Sequence, residues 1–526
     1  MQVVKLYDTT LRDGTQTEGM SLSVNDKLRI AKKLDEFGVQ YIEGGWPGSN
    51  PKDMEFFLKA KSLKLKNSKL VAFSSTRRAH LKASEDKNIA QLVKAKTKAV
   101  TIFGKSWDLH VTDVLKTTLD ENLEMIKDTV GFLKSKGLEV FFDAEHFFDG
   151  YLSNPEYAVK TLQAAQEAGA SCVILCDTNG GTITSSLVKI IQEVKPRLKG
   201  PLGIHCHNDC EMAVSNSVAA VGLGCAQVQG TINGYGERCG NANLISIIAV
   251  LKLKLGIDCV SNAKLKEITE VSRFVAEVCN FKQQNNQPFT GESAFAHKAG
   301  VHINAVMKNS RSYEHVDPSA VGNKRKFAVS ELSGKTSIEL KAQELALGIK
   351  KDTPQARKIL SLLQDMEHKG YHFEAAEGSL ELLMKRATTK FKRFFELEGF
   401  RIIMEKKGDA PTLSEATIKI KVNKIEEHTA AKGDGPVNAL DNALRKALEE
   451  FYPSLKQMRL SDFKVRVIDE KAGTAAKVRV LIQSHDKDSS WWTVGVSENI
   501  IEASWQALVD SVEYKLLKDS KAQSQA

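Results

Sequence analysis

Short runs of β-branched and apolar residues recur along the first half of the chain, and each is followed by a longer stretch with apolar positions at helical spacing. The strand-like runs are "VVKLYDTT", "VQYIEGGW", "KLVAFSS", "AVTIFG", "EVFFDAEH", "CVILCDTN", "LGIHCHND" and "CAQVQGTING". Between them, "NDKLRIAKKLDEFG", "DMEFFLKAKSL", "LDENLEMIKDTVGFLKSKG", "PEYAVKTLQAAQEAG" and "ITSSLVKIIQEVK" carry the helical period. Several of these stop at glycine, which enters the left-handed turn of a helix end without strain. "ANLISIIAVLKLKLG" closes the series near Gly256. Eight alternating units predict an α/β fold of the (β/α)8 TIM-barrel type, whose usual length is about 250 residues. An open doubly wound sheet is the structural alternative, but it normally has fewer units and a phosphate-binding glycine loop. No G-x-G-x-x-G or Walker pattern follows a strand here.

Past Gly256 the period loosens, and "NNQPFTGESAFAHKAGVHINAVMKNSRSYEHVDPSAVG" is a long turn-rich segment of the kind that often carries function. His297 and His302 lack the i, i+4 spacing of the H-E-x-x-H zinc helix, and His297 is expected to be structural. "GNKRKFAVSELSGKTSIELKAQELALG" and "TPQARKILSLLQDMEHKGYHFE" read as helical linkers, with "SELSGKTS" as a turn; its partial Walker likeness lacks the preceding glycine. From about Phe394 the chain repeats itself: "FRIIMEKK", "EATIKIKVN" and "KIEEHTAAKGDG" precede "PVNALDNALRKALEEF", and "FKVRVID", "GTAAKVRVLIQSHD" and "SWWTVGVSEN" precede "IIEASWQALVDSVEYKLL". Each half reads strand, strand, strand, helix, with Pro436 where a helix start tolerates proline. The domains expected are a barrel over 1–280, linker subdomains over 281–393 and an α+β C-terminal domain with a βββα repeat over 394–526. Two such sheets could form a small-molecule sensor or a purely structural dimerisation module, in which Trp491 and Trp492 are core.

A length of 526 residues agrees with two to four domains. The start "MQVVKLYDTT" has no basic segment followed by an apolar run, and nowhere do 18 apolar residues follow one another, so a cytoplasmic protein without a membrane partner is expected. The net charge of +9 comes from lysines scattered as in "LKAKSLKLKNSK", which suits solvated helix faces and not a nucleic-acid arm. Such a balance favours small anionic substrates. The eight cysteines lie mostly in apolar segments without loop-separated pairs, so reduced thiols are expected. "HCHNDC" has no second Cys/His cluster to make a zinc–thiolate site.

The barrel reading locates chemistry, because this fold builds its site where the strands end. Arg12 and Asp13 follow the first strand, Glu43 ends the second, and Asp143 and Glu145 alternate at the end of the fifth. Asp177 and Thr178 end the sixth, His205 and His207 the seventh, and Asn233, Glu237 and Asn241 follow the eighth. Taken singly, Asp13, Thr178 or Asn241 would be read as helix caps or loop residues. Together they converge on one mouth. His205 and His207, two residues apart on a strand, share a face opposite Cys206; the motif alone suits metal ligands or a hydrogen-bonded pair. A carboxylate, two imidazoles and an amide oxygen suit an open divalent-metal site, for zinc, manganese or magnesium.

Three separated motifs in order, "DTTLRDGTQ", "HCHND" and "GNAN", resemble the α-isopropylmalate synthase/homocitrate synthase family of metal-dependent Claisen-condensing enzymes, and the resemblance covers essentially the whole chain. "YIEGGWPGSNPKD", "FDAEHFFDGY", "GTAAKVRVLI" and "TVGVSENIIEASWQALVDSVEYKL" are most similar to the branch that joins acetyl-CoA to pyruvate. The branch using the bulkier 2-oxoisovalerate is the alternative. Related barrel lyases that cleave acyl-CoA adducts share the metal residues but not the C-terminal repeat, and the intact polar set argues against a non-catalytic binding protein.

The resemblance implies Asp13, His205, His207 and Asn241 as ligands of a divalent metal. It sets Arg12 over the bound 2-oxo acid, Thr178 on that acid's carboxylate, and Gln16 as a further substrate-binding residue. Glu145 is linked to acid–base or water-positioning work, against the alternative of a carboxylate that orients a metal-bound histidine. His302 and Tyr313 fall in a small subdomain that completes the active site, commonly the partner subunit's in a homodimer, with His302 as a proton-transfer residue. Asn304 departs from the acidic residue frequent in the leucine branch, so no acid or base is expected there. The C-terminal repeat is implied to be the allosteric domain, sensing isoleucine.

Overall fold

The structure, a computed structural model, describes residues 3–327, 335–387, 391, 393–468 and 476–525. Eight parallel strands close a barrel: β1 (Lys5–Asp8), β2 (Tyr41–Gly45), β3 (Lys69–Ser75), β4 (Ala99–Lys105), β5 (Glu139–Glu145), β6 (Cys172–Asp177), β7 (Leu202–Cys206) and β8 (Gln227–Gly230). Closure is made by β8 pairing back onto β1, with Lys5 opposite Gln227 and Asp8 opposite Gly230. β2, β6, β7 and β8 are buried along their whole length, and in β6 this gives the unbroken apolar run "CVILC". Inside, Tyr7, Tyr41, Phe141, Cys172, Ile174 and Cys176 fill the barrel as a packed plug, so the interior is a floor beneath the mouth.

The helices outside the barrel begin where the local chemistry supplies a cap. Ser23 makes a capping box with Asp26 at the start of Val24–Phe37, and Gly38 ends that helix at φ 101°. Asp86, Thr118 and Asn154 each accept backbone N–H bonds at the starts of Lys87–Lys94, Leu119–Ser135 and Pro155–Glu167. Two barrel helices have weak sequence signals: Lys87–Lys94 is only 8 residues long, and Ala213–Gly222, "AVSNSVAAVG", buries small and polar residues where large apolar ones would mark the period. A π turn at His110–Val114 and a short helix at Phe147–Ser153 are additions after β4 and β5 that the strand-and-helix pattern does not announce.

The chain divides into two compact units, residues 1–295 with 315–325, and residues 296–314 with 326–526. Of the stretch 281–393 read as linker, 281–295 and 315–325 therefore go with the barrel. In the second unit, β9 (Ala296–His297) pairs in parallel with β10 (Lys326–Phe327), and helices run over Gly300–Lys308, Lys335–Glu344, Pro354–His368 and Glu377–Ala387. Of the expected turn over 330–337, residues 330–334 lie outside the described ones, and Lys335 already begins a helix.

The βββα repeat is present twice. β11 (Glu396–Glu405), β12 (Leu413–Val422) and β13 (Ile425–Gly433) precede the helix Pro436–Leu448, and β14 (Arg459–Val467), β15 (Val478–His485) and β16 (Ser490–Ser497) precede Ile500–Gln525. Position 469 of "FKVRVID" and 473–475 of "GTAAKVRVLIQSHD" lie outside the described residues. Alternate residues of β12, Ala416, Ile418, Ile420 and Val422, are fully buried and join Leu440 and Leu444 in one core. Trp491 is buried there, and its indole N–H donates to Ser511 Oγ at 3.1 Å. Trp492 is not core: it is half-buried under Lys464, whose Nζ stands 4.5 Å from the ring centroid. All eight cysteines are described and all are free thiols. Among the described residues no helix is long and apolar enough to cross a membrane.

Candidate functional site

Immediately after β1 the chain turns on the Thr9 carbonyl, which accepts the N–H of Arg12 at 3.2 Å and of Gly14 at 3.0 Å. That turn buries Asp13 at the head of a short 3₁₀ segment, Gly14–Gln16. On the other side of the closure, the loop after β8 folds back along the end of β7: His207 forms an antiparallel bridge with Asn241, and the Asn208 N–H donates to the Gly240 carbonyl at 2.9 Å. Gly236 lets this loop close, since a Cβ there would stand 1.9 Å from Asn241 Oδ1.

Three side chains are thereby aimed at one point. Asp13 Oδ2 lies 3.4 Å from His205 Nε2 and 3.8 Å from His207 Nε2, and the Asn241 amide donates to the same oxygen at 3.0 Å. Asp13, His205 and His207 form a buried group whose donor atoms lie within 4.8 Å of one another. The set fits a divalent cation. Oxygen and imidazole donors without thiolate suit zinc, manganese or magnesium, and Asn241 Oδ1 is buried without any hydrogen-bond partner, a condition buried carbonyl oxygens rarely accept unless something else binds them.

Charge is arranged around the group in a definite order. The Arg12 guanidinium donates through Nε to Glu43 and reaches Asp13 Oδ2 at 3.4 Å from a terminal nitrogen. Glu43 also accepts from Thr9 Oγ1 at 2.6 Å and from the Tyr7 hydroxyl. Burial works against the Asp13 charge, but Arg12 and then His205 and His207 outweigh it and hold the carboxyl far below the usual range. For His205, burial is likewise outweighed by Asp13, so its ring binds a proton more readily than usual. Burial and the neighbouring His205 push His207 down to about 4, which leaves it neutral with a lone pair to give.

The remaining residues of the mouth divide into those free to meet a substrate and those engaged in bracing. Glu145 ends β5 half-buried and paired with Lys105 from the end of β4. The Thr178 hydroxyl accepts the His146 N–H at 2.9 Å, and the Thr178 carbonyl accepts from Arg238 at 2.7 Å. Arg238 in turn pairs with Asp209 at 2.7 Å, tying together the loops after β6, β7 and β8. Gln16 is exposed. Asp177 accepts from Thr182 Oγ1 at 2.8 Å, and Asn233 is bonded to Ser272 and Gln287, so both brace the loops in which they lie. His302 and Tyr313 belong to the second unit, where their exposed rings stand 4.1 Å apart; nearby, His297 Nε2 meets Glu314 Oε1 at 3.3 Å.

Four residues that sequence reasoning passed over take part: Tyr7, Lys105, Gln229 and Arg238. The sequence marks Gln229 only as a polar residue inside the strand "AQVQG", and Gln227 in the same strand is also buried, yet neither of its amide atoms has a hydrogen-bond partner. In the structure Gln229 Oε1 lies 2.9 Å from His205 Nδ1, and its Nε2 donates to Asp143 Oδ1 at 3.0 Å.

Comparison with known proteins gives three family matches along the chain: HMGL-like over residues 3–275, homocitrate synthase post-HMGL domain-like over 289–370, and the LeuA allosteric (dimerisation) domain over 374–516. An (R)-citramalate synthase of Aquifex aeolicus is 57% identical over 521 residues, covering 98% of each chain. One from Geobacter sulfurreducens is 56% identical, covering 99% of each. A 2-isopropylmalate synthase of Methanocaldococcus jannaschii is 31% identical, covering 98% of this chain and 96% of its own.

Proposed function

We propose a reaction for this chain from one premise: it belongs to the HMGL-like family and, within it, to the (R)-citramalate synthases. It is a transferase that condenses acetyl-CoA with pyruvate and hydrolyses the thioester, releasing (R)-citramalate and CoA, on the threonine-independent route to isoleucine. The observation that carries the reading is the convergence of Asp13, His205 and His207 on one buried point at the mouth of the barrel, in a chain matched almost end to end by (R)-citramalate synthases.

Asp13, His205, His207 and Asn241 are the residues that would hold the divalent cation. When bound, such a cation supplies positive charge against the ketone oxygen as that oxygen becomes an alkoxide. Arg12, braced by Glu43, adds a fixed donor on the same side, the preorganised kind of stabilisation that is often the largest catalytic term. Thr178 accepts one bond from the His146 N–H and keeps its own hydroxyl hydrogen to donate to the carboxylate of the 2-oxo acid, and Gln16, exposed after β1, is a further substrate-binding residue. Glu145 takes the proton from the acetyl methyl, and its pairing with Lys105 fixes where the carboxylate points. His302, with Tyr313, moves a proton in the site completed by the partner subunit of a homodimer. The C-terminal repeat binds isoleucine as effector, and the protein works in the cytoplasm.

Release of CoA thiol from acetyl-CoA, with pyruvate or 2-oxoisovalerate, each with and without chelator, tests the reading. Pyruvate is the preferred acceptor and chelator abolishes turnover. Preference for 2-oxoisovalerate would overturn the assignment of substrate, and turnover indifferent to chelator would overturn the metal.

A further inference from the structure

We propose that Gln229 and Asp143 form a positioning relay that fixes which ring nitrogen of His205 is left bare for the cation. The inference rests on His205 being a metal ligand. His205 in β7 and Gln229 in β8 are direct neighbours in the strand register, so the amide is delivered to the imidazole by the barrel's own pairing. Asp143 Oδ1 accepts, and the only end of an amide that can donate is the NH2, so Gln229 turns Nε2 toward Asp143. Burial pushes the Asp143 carboxyl up to about 7; charged, or protonated on Oδ2, it still accepts at Oδ1.

The carbonyl end of Gln229 is then left facing His205 Nδ1 at 2.9 Å. A carbonyl oxygen cannot donate, so Nδ1 carries the hydrogen. A neutral imidazole has one N–H, which leaves Nε2 bare, and Nε2 is the nitrogen that stands 3.4 Å from Asp13 Oδ2. With the amide reversed, its NH2 would meet Nδ1 and drive the hydrogen to Nε2, where it would point at the cation position. Asp143, Gln229 and His205 are 4%, 0% and 5% exposed, so solvent cannot replace a missing partner. Histidine ligands are commonly oriented by a carboxylate directly; here a neutral amide is interposed, which sets the tautomer without placing a carboxylate against the ring.

Two variants of the full-length protein test the relay. Gln229→Met matches the length of the side chain without its hydrogen bonds. The double variant Gln229→Glu with Asp143→Asn rebuilds the pattern with the roles exchanged, because the carboxylate placed at position 229 then accepts both from the amide placed at position 143 and from the His205 N–H. His205 is followed in long-range 1H–15N spectra of histidine-labelled, metal-free protein at pH 9, and Mn2+ binding is measured by titration calorimetry. Gln229→Met gives a mixture of His205 tautomers and weakens Mn2+ by about 10–100-fold, and the double variant recovers both readouts. Wild-type behaviour of Gln229→Met in both, or a double variant no better than Gln229→Met, would overturn the relay. Wild-type protein that takes up no Mn2+ or Zn2+ would instead overturn the metal reading, while the metal-free spectra report on the relay by themselves.

Discussion

The Arg12 guanidinium carbon stands 3.8 Å from the centroid of the Phe73 ring while its Nε is bonded to Glu43. A planar cation gripped between an aromatic face and a carboxylate has one orientation left, and lysine reproduces the charge but neither the plane nor the fork. Arg12→Lys therefore lowers kcat/KM for CoA release by about 10²–10³-fold, with bound metal unchanged. A loss under about tenfold would show that charge alone suffices.

His207→Ala removes one of the three converging donors. Metal measured by mass spectrometry after dialysis falls to a small fraction of the wild-type content and CoA release is lost, while the far-UV circular dichroism of the barrel is retained. Wild-type metal content in this variant is the result that contradicts a ligand role.

Glu145→Gln separates proton transfer from the metal site, since the Glu145 carboxylate pairs with Lys105 and His205 is held by Gln229. Turnover falls by about 10²–10⁴-fold with metal binding intact, and deuterium from solvent no longer enters the methyl group of acetyl-CoA. Undiminished exchange would assign the proton to another base.

Asp8 links stability to pH. Its buried carboxyl is pushed up to about 7, chiefly by burial, although Thr10 bonds both of its oxygens. The unfolded group titrates near 3.9. Well below about pH 4 the carboxyl is protonated in both states and has no effect. As pH rises toward 7 the unfolded chain releases this proton first, so the group destabilises the fold by an amount that grows to roughly 4 kcal/mol and then levels off. Asp8→Asn removes the penalty: its advantage over wild type in denaturant unfolding is near zero at pH 4 and widens to pH 7. Parallel pH curves for the two proteins would contradict the assignment.

Isoleucine, added to the full-length enzyme at saturating pyruvate, lowers the rate of CoA release, and leucine at the same concentration does not. Equal responses to the two amino acids would remove the effector assignment.

Much of this was legible because a parallel barrel hides both faces of its strands, and hidden strands announce themselves as unbroken apolar runs such as "CVILC". The C-terminal βββα halves were legible through their alternation, with Ala416, Ile418, Ile420 and Val422 inward. The converging donors could be found for a related reason: Asp13, His205 and His207 break apolar patterns where strands stop. What stayed hidden depended on neighbours in space. Gln229 matters through a ring on the next strand and a carboxylate on β5, and neither relation leaves a trace in local spacing. The helix at Ala213–Gly222 was obscure because its inward face carries Asn216 and Ser217 among small residues. The division of 281–393 between two units could not be read locally either, since segments far apart in sequence pair there, as β9 does with β10.

The barrel closes by bringing its first strand against its last, and the converging donor group straddles that seam, with Asp13 on one side and Asn241 on the other. A chain still being synthesised can expose Asp13, and later the two histidines, for as long as translation takes to reach residue 241, without ever offering the ion its complete cage. On the proposed metal reading, uptake waits for the end of barrel synthesis, and a fragment released early would carry the motif without the complete set of donors.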